Sequence, residues 1–151
     1  MVCGGLVFLR AHGSMNGMNK STRPSSRTLP PRLKKRQDFL AAAKGVFAPR
    51  PCVVVQMRAR GDEAPAKVGF TATKRLGKAV ARNRARRRLR EAVRLLPPGL
   101  LQAGHDYVFI ARDKTATCDF ATLMQQVRSA LAQLNAGKGH ASRPRRARNR
   151  R

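Results

Sequence analysis

Tryptophan is missing from this sequence, tyrosine occurs once and phenylalanine six times in 151 residues. Acidic residues are scarce too: seven Asp and Glu stand against 33 Lys and Arg, a formal net charge of +26. So few carboxylates, none of them clustered, supply neither a protein cage for a metal ion nor a pair for acid–base chemistry. His12, His105 and His140 lie far apart, and there is no Ser/His/Asp set, P-loop or metal-ligand spacing. Cys3, Cys52 and Cys118 form no C-x-x-C pair. Neither a zinc site nor a disulfide framework is indicated, and a reduced cytoplasm is the natural compartment. No stretch approaches the roughly 18 apolar residues of a membrane span. The Leu6–Leu9 run is too short for a signal-peptide core and has no basic region before it. No residue is assigned as catalytic, and any reaction served by this chain uses groups that belong to another molecule.

What is present is positive charge, concentrated on one helix. Residues 78–96 are rich in Ala, Leu and Arg, which lose little side-chain freedom in a helix. At about 100° per residue, Ala81, Ala85, Leu89, Ala92, Val93 and Leu96 fall in one apolar stripe. Seven arginines between Arg82 and Arg94 cover the rest, relieved only by Glu91. A solubilising face mixes signs, because like charges four residues apart repel by about a few tenths of a kcal/mol per pair. Arg82–Arg86–Arg90–Arg94 and Arg84–Arg88 stack like charges, so the helix sits best against an external polyanion. The guanidinium fork suits phosphate oxygens. A membrane-surface helix would carry large apolar residues opposite its basic face. This one carries Ala and Val, which favours nucleic acid and no membrane.

In chain order, residues 1–31 are dominated by Gly, Ser, Asn and Pro and are expected to be a disordered extension, with Met15 and Met18 as alternative starts. The domain is expected over 32–135. The spacing predicts a short helix over 34–45, ended by Gly45 as a left-handed cap. A valine-rich strand follows over 52–58, a hairpin-like connection over 60–65 and a returning strand over 67–73. After the basic helix come a strand over 106–112 and a helix over 119–134, capped by Thr117 or Asp119. Residues 136–151 are expected to be a disordered basic tail, with seven basic residues among the last fourteen. Helix, two strands, basic helix, strand and helix make an α+β fold, a sandwich whose sheet is covered by helices.

Two features bear on a site. Asn83 is a mediocre helix former between two arginines. It is either a tolerated surface amide or a group whose carbonyl accepts from an arginine or a metal-bound water. Phe39, Val53, Val55, Phe70, Tyr107 and Phe109 are of residue types more often found in a core. Unpaired nucleotides are also held by aromatic stacking beside a basic groove. Lys34, Lys35 and Arg36 on one side and Lys74 and Arg75 on the other would make the sheet such a groove.

The stretch Val68-Gly69-Phe70-Thr71-Ala72-Thr73-Lys74-Arg75-Leu76-Gly77-Lys78-Ala79-Val80-Ala81-Arg82-Asn83-Arg84, with Arg86-Arg87, Leu89-Arg90 and Glu91-Ala92 after it, resembles the signature of the protein subunit of bacterial ribonuclease P. Arg32-Leu33-Lys34-Lys35 with Asp38-Phe39, and Gly104-His105-Asp106-Tyr107-Val108, extend the resemblance to about residues 33–134. It implies an α-β sandwich with a mixed sheet and a left-handed βαβ crossover at the basic helix, like a domain of a ribosomal protein. It implies an accessory subunit of an endoribonuclease whose RNA subunit removes the 5′ leader of precursor tRNA with Mg²⁺, one protein per RNA subunit. Contact with the catalytic RNA is then expected from Lys74, Arg75, Lys78, Arg82, Asn83, Arg84, Arg86, Arg87 and Arg90. Asn83 is also expected to reach a metal through water. Leader binding is expected from Lys34, Lys35, Arg36, Phe39, Val53 and Val55. Two positions often aromatic in the family's cleft are matched by Ala43 and Val55, which leaves Phe39, apolar contact and charge to hold the leader. The competing reading is a structural RNA-binding protein of ribosomal type with no part in cleavage.

Overall fold

A computed structural model describes residues 29–142. Of the extensions expected at 1–31 and 136–151, residues 1–28 and 143–151 lie outside the described residues. The order is α1 (Arg36–Ala43), β1 (Val46–Pro49), β2 (Val53–Ala59), β3 (Lys67–Thr71), α2 (Ala79–Arg94), β4 (His105–Ala111), α3 (Phe120–Asn135) and β5 (His140–Ala141). Short 3-10 turns at Lys74–Leu76 and Asp113–Ala116 precede α2 and α3. The five strands form one mixed sheet in the order β3-β4-β2-β1-β5. Only β3 and β4 run parallel, joined through α2 as a βαβ unit. The fold is α+β, as expected.

Each face of the sheet has its own core. On one face Ala48, Val53, Val55, Val68, Tyr107 and Phe109 pack against Ala85, Leu89, Ala92 and Val93 of α2 and Leu123, Val127, Leu131 and Leu134 of α3. Phe70 stacks on Phe109 there, with centroids 5.7 Å apart. On the other face α1 builds a smaller cluster, in which Leu33, Ala42 and Val108 are buried and Phe39 and Ile110 pack at the edge. Asp119 caps α3, its Oδ2 accepting from the Ala121 amide at 3.0 Å and the Thr122 amide at 3.4 Å.

Several expectations are corrected. The 60–65 connection is not a hairpin, because β4 lies between β2 and β3. Tyr107, Val108 and Phe109 are apolar toward both faces, so β4 takes the most enclosed position of the sheet. The loop therefore passes over the start of β4, where Arg60 Nη1 meets the buried Asp106 carboxylate at 2.7 Å. Gly45 is not a left-handed cap, since its φ is not among the positive ones. A Cβ there would lie 2.2 Å from the Met57 carbonyl oxygen, so the glycine admits close approach of β2. β1 and β5 were not anticipated, being only four and two residues long. Residues 136–142, assigned to the tail, end α3 and return to pair with β1.

Candidate nucleic-acid interface

Helix α2 separates its arginines by direction. Ala85, Leu89 and Ala92 are fully buried, and Val93 nearly so, which fixes the stripe that faces the core. Arg88, on one flank of that stripe, turns inward and donates through Nη1 to the Thr115 carbonyl at 3.0 Å and through Nη2 to the Cys118 carbonyl. Arg94 pairs with Glu91 through Nε at 2.9 Å. These two arginines are used by the protein itself. Asn83, Arg84 and Arg87 are exposed on the outward face, while Arg82, Arg86 and Arg90 are half-buried along the other flank. The Nε atoms of Arg82 and Arg90 are buried with no hydrogen-bond partner. Neither side chain has an acidic partner among the described residues. Arg86 Nη1 donates to Asn83 Oδ1 at 3.3 Å, so the Asn83 carbonyl is shared with an arginine and its amide NH₂ is left outward.

The chain enters α2 through the exposed residues Lys74 and Arg75 of the 3-10 turn, then Gly77 and Lys78. Gly77 adopts φ +95°, a region that side chains rarely tolerate, which directs the turn into the helix. Lys78 makes no side-chain cap, so the first amides of α2 are left to an outside acceptor. The structure thus brings Lys74, Arg75, Lys78, Arg82, Asn83, Arg84, Arg86, Arg87 and Arg90 onto one end and outer surface of the βαβ unit.

A second basic region lies on the sheet face that α1 only partly covers. Strand register places Thr71, Ile110, Val54 and Pro49 in one row across β3, β4, β2 and β1. The neighbouring row is Gly69, Val108, Gln56 and Phe47. Phe39 of α1 sits on Gly69, where a Cβ would come within 2.5 Å of its ring, and so seals one end of that row. The other end stays open. The resulting groove, about 380 Å³, is lined by Phe47, Pro49, Val54, Ile110, Arg75 and Arg112, with Asp113 the one acid in its wall. Lys34, Lys35 and Arg36 are exposed at the start of α1.

Val53 and Val55 do not line this groove. Both are fully buried on the opposite face, against α2 and α3, and their placement in a leader site is corrected. The groove residues of the same strand pair are Val54 and, across it, Pro49 and Phe47. One step along a strand changes the face a side chain occupies, and a run of three valines carries no alternation to reveal it. Phe47 was missed because β1 was not recognised; its signal was an aromatic between Gly45 and Pro49, too short for periodicity. Among the described residues there is no group of three His, Cys, Asp or Glu side chains able to hold a metal ion. No described helix is long and apolar enough to cross a membrane.

A family model described as Ribonuclease P matches residues 30–135. The chain is 55% identical over 106 residues to the ribonuclease P protein component of Caulobacter vibrioides, covering 70% of this chain and 71% of that one. It is 48% identical over 101 residues to the component from Gluconacetobacter diazotrophicus, covering 66% and 87% respectively. Among solved structures, the RNase P protein of Staphylococcus aureus superposes with a TM-score of 0.59 at 25% identity, over 68% of this chain and 94% of that one. The RNase P protein from Thermotoga maritima gives 0.55 at 30% identity, over 71% and 94%.

Proposed function

The chain belongs to the ribonuclease P protein family and serves as the protein component of that enzyme; from that premise we propose how it does so. The cleavage of precursor tRNA is carried by an RNA subunit in the cytoplasm, one protein bound to each RNA. This chain binds that RNA with the outer surface of α2 and steers the 5′ leader along the open face of the sheet. The observation that carries the reading is the division of labour on α2. Arg88 bonds inward to backbone carbonyls and Arg94 pairs with Glu91 at the surface, while Arg82, Arg84, Arg87 and Arg90 have no acidic partner among the described residues. An RNA backbone supplies the missing anions.

The leader is held by apolar contact with Phe47, Pro49, Val54 and Ile110, flanked by Arg75 and Arg112, with Lys34, Lys35 and Arg36 neutralising phosphates beside it. Mg²⁺ is held mainly by the RNA subunit in this reading; among the described residues no group of three His, Cys, Asp or Glu side chains could hold it. Bound there, the ion would supply Lewis-acid stabilisation of the scissile phosphate. Asn83 contributes a carbonyl to a metal-bound water at most, and its first partner is Arg86.

The test is reconstitution with the RNA subunit and precursor tRNA at several Mg²⁺ concentrations, with thermal melting in parallel. Arg82→Ala, Asn83→Ala and Arg84→Ala should melt with the parent, because Ala suits a helix and none of the three fills the core. Each arginine variant should weaken assembly by about 1.5–3 kcal/mol, the range for hydrogen bonds to charged groups. The Asn83→Ala defect should shrink as Mg²⁺ is raised. Log affinity should fall with log salt by about 0.7 to 0.9 per phosphate neutralised. Cleavage at low Mg²⁺ that is indifferent to the protein would instead make it a structural RNA-binding protein of ribosomal type.

A further inference from the structure

β5 lies beyond the stretch matched by the family model, which ends at residue 135, yet it completes the sheet. His140 and Ala141 pair antiparallel with Phe47 and Val46, and the Ser142 amide donates to the Gly45 carbonyl at 3.2 Å. This pairing sets the exposed His140 imidazole against the half-buried Phe47 ring, centroids 5.7 Å apart and planes tilted by 41°. Beside them is a second hollow of about 560 Å³, bounded by Phe47, Pro49, His140, Ala141 and Ser142. Phe47 and Pro49 line both hollows, so the open face continues from the leader groove to the β5 edge. From β4 through β2 and β1 to β5 the path is about 14 Å at ordinary strand spacing. Six arginines occupy the nine sequence positions after Ser142.

We propose that β5 adds a base-binding position to the leader groove, in which an unpaired nucleobase stacks on the Phe47–His140 pair. The inference rests on the reading of the groove as the leader site and extends it past the family's matched core. Two observations choose a single-stranded nucleic acid as the occupant: two adjacent aromatic rings and continuity with a groove flanked by Arg75 and Arg112. Stacking on an aromatic side chain tolerates any base, so the position senses leader length and not leader sequence.

The experiment measures binding of precursor tRNA to the reconstituted holoenzyme, with leaders shortened stepwise from the 5′ end. The proteins compared are the parent, Phe47→Ala, His140→Ala and His140→Phe. With a long leader, Phe47→Ala and His140→Ala should each weaken binding about tenfold, within the range for loss of one base–aromatic stack. His140→Phe should retain parental binding. The loss should vanish once the leader is too short to reach β5. His140→Ala should keep the parent's salt slope, since no phosphate contact is removed. If Phe47→Ala melts early, the exposed His140 decides the matter. Equal loss at every leader length, or none at any length, would overturn the proposal. Leader-length dependence in the parent with no effect of the His140 variants would reject β5 alone. Absence of that dependence in the parent would reject the leader groove as well.

Discussion

On the side of the sheet that meets α2 and α3, Val53, Val55, Tyr107 and Phe109 are fully buried. On the side that meets α1, Val54, Ile110, Phe47 and Pro49 remain half-exposed along an open groove. The residue types are nearly the same on both sides, and the strands are the same strands. What differs is the cover: two sixteen-residue helices close the first face, and one helix of eight residues closes only part of the second. A valine is a core residue or a groove-lining residue here according to the helix above it.

The largest effect that tests this contrast is Leu89→Ala, which empties a fully buried position beneath α2. It should cost about 2–5 kcal/mol of folding stability, read as a lowered denaturation midpoint. Cleavage by the fraction still folded should be normal. A variant that stays stable but fails in assembly would mean that α2's inner face is not a core face.

A smaller and sharper test exchanges the two faces by one residue. Val55→Ala should lose about 2 kcal/mol of stability, from two buried carbons and the space they leave, with leader affinity unchanged. Val54→Ala should lose less than about 1 kcal/mol of stability. Its affinity for precursor tRNA should fall severalfold, while mature tRNA binds as before. The reverse assignment would restore Val55 to the leader site and invalidate the register argument.

A last effect is alkaline and confined to the closed face. Burial pushes the Cys118 thiol up to about 11, helped by the neighbouring Cys52. Burial likewise raises the Tyr107 phenol above its ordinary value, although the Gln102 amide donates to its oxygen. An unfolded chain gives up these protons near pH 9 and pH 10, while the folded chain keeps them. Above about pH 9 the unfolded state thus binds fewer protons, and stability falls as pH rises toward 11. Urea midpoints measured from pH 8 to 11 should decline over that window, and Cys118→Ala should flatten the first part of the decline. A constant midpoint would show that these groups are not held protonated by the fold.

Much of the site was legible locally. α2 announces itself because Ala85, Leu89, Ala92 and Val93 recur at helical spacing while the arginines fill every other direction, and the observed buried stripe is made of those residues. The cap at Asp119 and the apolar spacing of α3 are local in the same sense. The groove was less legible. Lys34, Lys35, Arg36 and Phe39 mark α1, but Phe39 spends its ring on Gly69, and Phe47 lies on a strand of only four residues. The inward turn of Arg88 could not be told from its neighbours, because its acceptors, Thr115 and Cys118, are 27 and 30 residues away.

By itself, then, the sequence determined the elements with a period of their own and the concentration of positive charge on α2. These follow from side-chain chemistry and from spacing along a single helix or strand axis. Only the tertiary structure decided that β4 enters between β2 and β3, that β5 closes the edge beyond β1, and that Val54 faces the groove while Val53 and Val55 face the core. Strand partners and strand faces are settled by long-range packing. A run such as Val53-Val54-Val55 satisfies either face equally until α2 and α3 bury one of them.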